Sequence, residues 1–574
     1  MKCLFTFVVA FFALSIAVAG DLKPKAVPAV APEIESSQPY VKKTPTPPPP
    51  SMSVTSTLTG LAGYYDWQSN GGCAQQVVVN PANGNIHVIY TLSDDSADIG
   101  NSRSIGYAFS TDGGATWDNF NNVRIPGTTS SGYANLDIAR GGAIAGSPVL
   151  ALHTNPGGGT QIVTYADVPE GTGTFIELGG VPALTPLPIW PKIAGGTDGS
   201  LTLHGSPNST APETNWLTRT PDLTAWTPWI QYPGFNDIGG RYPTHSDGAG
   251  KIGSLLQAVN EGTFWLESTD NGATWPSTAD TIHMPAGVGG RVAGVDTFQA
   301  WVGADFVYDG SNPLVVVDEL GIGANDPTDA GYIAFWSQSN GWTEIARPST
   351  TPGAIELRNL AQSNHFTMGW PTIGLSGSTI VVAFAAMQAE FSAAGFNYMD
   401  IFMVKSDDGG ATWTPPNNLT NTPNQDERYP SLSKWNEPGF ANIVWQEDTQ
   451  PGSHAFTDNA PKSLSWQVFN KVDLTTLTGV GGGEPIAREF SLDQNYPNPF
   501  NPSTKIRFSV STSGPVELRV HNVLGQEVAT LADGYRNVGE YEVSFSAQNL
   551  TSGVYFYTLR SGDFVSTKKM LLMK

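Results

Sequence analysis

The chain has 574 residues, 29 Lys+Arg against 51 Asp+Glu, and a formal net charge of −22 at pH 7. Its 63 glycines and 43 prolines exclude a helical bundle or coiled coil, because both residue types break helices. A 40% hydrophobic content with 16 Trp, 18 Tyr and 26 Phe excludes a chain too polar to fold, and the acidity argues against a nucleic-acid partner. An all-β protein is expected.

The N-terminus reads as an address. Lys2 precedes an apolar run from Leu4 to Val18, and Ala17-Val18-Ala19 supplies a small-residue cleavage site, so residues 1–19 are expected to be a secretory signal peptide. The run is shorter than the about 20 residues of a membrane span, and no later stretch is long enough to span a membrane. Cys3 leaves with the signal, and Cys73, then the lone thiol, is expected to be a small core residue. Residues 20–54 are rich in proline and end in Thr44-Pro45-Thr46-Pro47-Pro48-Pro49-Pro50, a disordered, extended linker without a core.

Residues 55–478 repeat. Aromatic-Pro phrases at Trp190-Pro191, Tyr242-Pro243, Trp370-Pro371 and Tyr429-Pro430 each precede a small-residue stretch, a turn and a hydrophobic strand. Looser copies begin near Gly72, Gly132 and Thr297. Seven units of this spacing predict a seven-bladed β-propeller of four-stranded blades, with six blades as the alternative. Three octads stand out within them: Ser110-Thr111-Asp112-Gly113-Gly114-Ala115-Thr116-Trp117, Ser268-Thr269-Asp270-Asn271-Gly272-Ala273-Thr274-Trp275 and Ser406-Asp407-Asp408-Gly409-Gly410-Ala411-Thr412-Trp413. Each resembles the Asp-box (BNR) repeat of sialidase-like β-propellers. In such a hairpin the Ser and Asp side chains bond turn backbone, Gly allows positive φ and Trp packs between blades. A catalytic role for Asp112, Asp270 or Asp408 is therefore not expected. Degenerate copies stand at Thr220–Trp226 and Ser339–Trp342.

Propeller geometry puts the start of each first strand and the end of each second strand on one face, opposite the octads. The long insertions fall on that face, at 93–104, 205–215, 318–331, 387–397 and 446–462, and loops on a rigid scaffold commonly carry function. The ligand-binding candidates there are Arg241, Tyr242, His245, Arg428, Tyr429, Trp190, Trp370, and the acidic pairs Asp94-Asp95, Asp318-Glu319 and Glu447-Asp448. Carboxylates beside Tyr and Trp suit recognition of sugar or peptide. Oxygen-rich loops could hold Ca²⁺, although no metal site is assigned and no cofactor is expected. The competing reading makes the Arg-Tyr-Pro phrases and acidic pairs repeat features that hold neighbouring blades together.

The sialidase resemblance implies an arginine cluster, a Tyr–Glu nucleophile pair and an Asp acid/base. The family's first arginine precedes the first octad, whereas Val123-Arg124-Ile125-Pro126 follows it here, in an outer strand. Residues 58–487 carry 15 basic and 40 acidic residues, a field unfavourable to an anionic sugar. No H-E-x-x-H, G-x-S-x-G or P-loop is present, and no catalytic residue is assigned.

After a Gly-rich linker at 479–488, residues 489–574 change character. Runs at 504–510, 516–522, 540–546, 554–559 and 564–573 alternate with period two and predict a small antiparallel β-sandwich. Tyr496-Pro497-Asn498-Pro499-Phe500, Asn522-Val523-Leu524-Gly525-Gln526-Glu527-Val528, Leu550-Thr551-Ser552-Gly553-Val554-Tyr555 and the closing Lys568-Lys569-Met570-Leu571-Leu572-Met573-Lys574 resemble the type IX secretion system (type A) sorting domain of Gram-negative bacteria. That resemblance implies the type IX machinery as partner and delivery across the outer membrane, to the surface or the medium. The expected protein is a monomeric propeller cargo that binds extracellular glycan, polymer or protein through its long-loop face. The alternative is a glycoside hydrolase or lyase, with exo-sialidase the weaker case.

Overall fold

The computed structural model describes residues 56–573, apart from 70–73, 126–129, 156–160, 185–187, 208–214, 233–241, 259–261, 284–291, 294–295, 323–330, 356–366, 423, 456–459, 478–490, 493, 511–513, 537–538, 549 and 563. The signal, the proline tether, Cys73, Arg241 and the Gly-rich linker lie outside the described residues.

Residues 56–473 form seven antiparallel sheets among the described residues. Sheet one is Val77–Val79, Ile86–Ser93, Arg103–Ser110 and Asp118–Arg124; sheet two is Ser131–Ile138, Pro148–Thr154, Gln161–Asp167 and Phe175–Glu177. Sheet three is Pro188–Gly195, Leu201–Pro207, Asn215–Thr220 and Ile230–Tyr232; sheet four is Thr244–Ser246, Ile252–Ala258, Gly262–Ser268 and Asp280–His283. Sheet five runs Asp296–Asp309, Asn312–Ile322, Gly331–Ser337 and Gly341–Ala346, with Val292–Ala293 added at its inner edge. Sheet six runs Met368–Ser376, Thr379–Phe391, Asn397–Ser406 and Asn417–Asn418, with Trp435–Asn436 parallel to its inner edge. Sheet seven joins Asp426–Leu432, Phe440–Asp448 and Ser465–Asp473 to the first described strand, Ser56–Gly63. The predicted unit starts and the observed first strands coincide within a few residues.

The first strands touch in chain order, and that of sheet one also touches that of sheet seven, so the sheets close into a ring. Side chains on one first strand bond the backbone of the next. Asn135 accepts Ile193 N–H (3.0 Å), Asp137 accepts Gly195 N–H (2.9 Å), Thr372 accepts Leu432 N–H (3.1 Å) and Ser431 accepts Gln76 N–H (2.9 Å). These bonds satisfy buried donors at a strand edge that would otherwise cost stability.

The three octads share one geometry. In the first, Ser110 Oγ accepts Gly114 N–H (2.9 Å) and Asp112 accepts both Thr116 N–H (2.9 Å) and its hydroxyl (2.6 Å). Trp117 meets Phe469 of sheet seven edge-on at 5.0 Å, and Trp413 meets Phe335 of sheet five likewise. Trp226 and Trp342 of the degenerate copies donate to Leu178 and Ile282 carbonyls of the preceding sheets (2.8 and 2.6 Å).

The C-terminal block has a three-stranded sheet (Ser491–Leu492, Ser503–Val510, Gly539–Ser546) and a four-stranded one (Glu527–Arg536, Gly514–Asn522, Gly553–Ser561, Phe564–Leu572). Both contribute to one apolar core, with Phe508 and Phe545 from the first and Leu518, Tyr557 and Leu559 from the second. The Glu527–Arg536 strand is an addition to the expected runs. It pairs antiparallel with Gly514–Asn522. Among the described residues, no helix is long and apolar enough to cross a membrane.

Candidate functional site

Strand register carries the candidate face. Asp426 at the start of the first strand of sheet seven lies opposite Asp448 at the end of the second, and Met368 lies opposite Ala386 in sheet six. At this end of sheet six lies a cleft of about 210 Å³ lined by Gln388, Ala389, Glu390, Tyr398 and Asp400 of its strands and by Gly353, Asn421 and Thr422 of the flanking segments. Its lip is the Thr379–Phe391 strand, which runs into the expected insertion at 387–397, where Gln388 and Glu390 carbonyls accept the Asn397 amide (2.9 and 3.4 Å). At its tip, Phe391 is 67% exposed.

Alternation along Asp426-Glu427-Arg428 sorts charge onto two faces. On one face, Arg428 pairs with Asp426 at 2.7 Å, both fully buried, and Asp426 also accepts Met399 N–H (2.9 Å). Burial opposes the guanidinium charge, but Asp426, Tyr429, Asp66 and Asp448 outweigh it and hold Arg428 protonated. Asp66 accepts Ser453 Oγ–H (2.9 Å) and the N–H groups of His454 (2.5 Å) and Ala455 (2.9 Å), pinning the loop that follows Asp448. Asp448 itself is pushed up to about 7 by burial, against hydrogen bonds from Ser463 and Gln450.

On the other face, Glu427 lies opposite Glu447, and Asp400 approaches from sheet six. Burial, with the charges of Asp400, Glu447 and Asp426, holds the Glu427 carboxyl well above the usual carboxylate range. Burial likewise pushes Asp400 up to about 6, although its Oδ2 accepts the Asn418 amide at 2.5 Å, and pushes Glu447 up to about 7. Among the described residues, no group of three or more His, Cys, Asp or Glu side chains is arranged to hold a metal ion.

The other candidates take up different positions. Tyr429 and Trp370 meet at 4.8 Å, and Trp67 covers Tyr429 at 5.9 Å. All three rings are buried, and the space between Trp370, Tyr429 and Gln76 is about 10 Å³, room for one water. Tyr242 stacks on His204 at 4.0 Å and donates to the Trp190 carbonyl at 3.0 Å, so this pair also joins neighbouring sheets. Trp190, Trp370 and Tyr429 have φ between 50° and 55°, each at a register shift in a first strand. His245 contacts Asp305 at 3.2 Å; Asp305 also pairs with Lys434 and accepts Ile373 N–H (3.1 Å). Burial and Lys434 hold the His245 imidazole neutral below its ordinary value. Asp318 accepts Gly303 N–H at 2.7 Å within a strand, and Glu319 follows it there instead of opening a loop. Asp94 is buried, and Asp95 accepts Ala97 N–H (2.9 Å) in a turn.

Of the described candidates, the fold thus gathers Arg428, Tyr429, Trp370, Glu447 and Asp448 around sheet seven, and leaves the other described ones at separate sheets. Phe391, Asp400, Glu427 and Asp66 escape the repeat-based search. Glu427 stands one residue before the Arg428-Tyr429 pair, and Asp400 lies in a third strand that carries no repeated phrase.

Residues 494–573 match the secretion system C-terminal sorting domain, so this chain is secreted across the outer membrane by the type IX route, to the cell surface or beyond. No curated protein matches the chain in sequence. Among solved structures, the chain is similar to the polysaccharide lyase Uly1 (12% identity, 76% of this chain and 94% of that one, TM-score 0.41). It is also similar to Penicillium chrysogenum alpha-L-arabinanase complexed with arabinobiose (17%, 61% and 98%, 0.36) and to a mutant Aleuria aurantia lectin in complex with alpha-methyl-L-fucoside (11%, 62% and 98%, 0.34). At such scores the likeness assigns no activity.

Proposed function

We propose that residues 55–478 form a seven-bladed, Asp-box β-propeller that binds extracellular glycan on its long-loop face, and that residues 489–574 are a β-sandwich that docks the secretion machinery after a signal peptide at 1–19 has directed export. The observation that carries the binding reading is the cleft at the end of sheet six. It combines the Tyr398 ring with amide and carboxyl groups at Gln388, Asn421, Glu390 and Asp400, and the exposed ring of Phe391 stands beside it at the tip of the strand that carries Gln388 and Glu390. Sugars present apolar C–H faces and rings of hydroxyls, so a ring for stacking beside convergent polar groups matches both.

The purified propeller should retard in affinity electrophoresis through at least one soluble polysaccharide. Phe391→Ala should weaken that binding about tenfold, the equivalent of roughly 1.4 kcal/mol. Retardation by no polysaccharide, or full retention by Phe391→Ala, overturns the reading.

A second reading, glycoside hydrolysis, is favoured by one observation: buried carboxyls raised into the neutral range are suited to general acid work. Turnover of a chromogenic glycoside that is lost in Asp400→Asn would replace binding with catalysis. An exo-sialidase is less supported, because Arg428 is committed to Asp426 and buried Arg103 donates to the Ser131 carbonyl at 2.7 Å.

A further inference from the structure

We propose that Asp400 is the residue of the cleft that accepts ligand hydroxyls, and that Glu427 behind it is a positioning residue, sharing one proton with Asp400 so that the cleft takes neutral glycan in preference to anionic glycan. The proposal rests on the glycan reading above and names its ligand class.

Asp400 lines the cleft; Glu427 is fully buried behind it. Beside Asp400, the one described side chain near enough to favour the charged form of Glu427 is the Thr422 hydroxyl, which makes no well-formed hydrogen bond to either Glu427 oxygen and is outweighed by burial and the neighbouring carboxylates. The Glu427 carboxyl faces that of Asp400, an acceptor against an acceptor unless one carries a proton. The charged groups around the pair are also acidic. Glu390 comes from the second strand of sheet six, Asp426 from the first strand of sheet seven, and Glu447 lies opposite Glu427. Tyr398 on the third strand of sheet six adds a phenol, which burial, with Glu390, Asp426 and Asp448, keeps protonated. Arg428 lies on the other face of its strand, engaged with Asp426, and Asp448 lies opposite Asp426 on that face.

Two adjacent buried carboxylates with no cation between them cannot both ionise near neutral pH, so one proton stays. Glu427 then donates to Asp400, whose Oδ2 also accepts from Asn418. Asp400 keeps lone pairs for hydroxyl donors, and the pair carries one negative charge. A neutral polyol can donate to it, whereas a uronate or sialate meets uncompensated negative charge.

The test has two arms on the secreted chain. Infrared difference spectra of wild type against Glu427→Gln at pH 7.5 should show a protonated carboxylic acid carbonyl in wild type that the variant lacks; its absence from wild type overturns the shared proton. Affinity electrophoresis through xylan, β-glucan, mannan and arabinan, against polygalacturonate, should retard the protein in a neutral polymer only. Affinity should fall about tenfold from pH 7 to pH 5 as Asp400 takes a proton. Equal retardation by polygalacturonate, or affinity independent of pH, overturns the ligand class. The carbonyl band without retardation by any polymer sinks the glycan reading and its ligand class, while the proton-sharing pair survives.

Discussion

Arg428 and Glu427 are chain neighbours with opposite fates. Successive side chains on a strand point to opposite faces, so one meets Asp426 and the other meets Asp400. The first pairing cancels charge and the second concentrates it. This has a sign in stability. Asp400, Glu427, Glu447 and Asp448 have folded values above those of the unfolded chain, so the native state holds more protons between about pH 4 and 7. Their contribution is fully present below about pH 4 and lost as pH rises through 6 to 7. Buried His204, held down at about 3, and His245 act in the opposite sense, losing stability as pH falls below their ordinary value. Asp400→Asn removes one carboxyl from this balance. Relative to wild type, its unfolding free energy should improve by about 3 kcal/mol between pH 4 and pH 8, read from urea midpoints.

At the scale of elements, the octad is a turn that docks on its neighbour. Gly114 has φ +87°, and a Cβ there would lie 2.0 Å from the Phe469 ring; Gly410 stands in the same relation to Phe335. Gly114→Ala therefore meets both backbone strain and a collision with sheet seven, and should lower stability by about 2 kcal/mol or more in a thermal melt. Asp112 is held ionised, at about 2, by bonds from Thr116 and Ser110 inside the same turn. That is the state of a structural acceptor, the opposite of a raised catalytic acid. Glycan binding should survive Gly114→Ala at temperatures where the variant is folded, because the octads lie opposite the cleft.

Over the whole molecule, the negative excess belongs to residues 58–487, while residues 488–574 have 9 basic and 8 acidic residues. Delivery and the proposed binding therefore fall to separate segments with separate cores. Expression without residues 494–574 should leave the protein in the periplasm, with the sheets of residues 56–473 still folded, as read by cell fractionation and immunoblot. Appearance of the truncated chain in the medium at wild-type levels would show that another segment directs export.

The local pattern by itself determined much. Alternation, Gly turns and the aromatic-Pro phrase placed the strands and the unit starts, because those signals act between residues close in sequence. The octads announced their own turns, and the C-terminal block matches the sorting domain over residues 494–573. What only tertiary structure decided was which groups share a space. The repeats pointed to Trp370 and Tyr429 as platforms on the open face. In the fold these rings are buried, and Trp67, which follows the first described strand, packs on Tyr429. Asp400 and Glu427 carry no repeated signal, yet two sheets bring them together beside a cleft. A carboxyl's raised protonation comes from burial and from charges distant in the chain, and neither is written in the residues beside it.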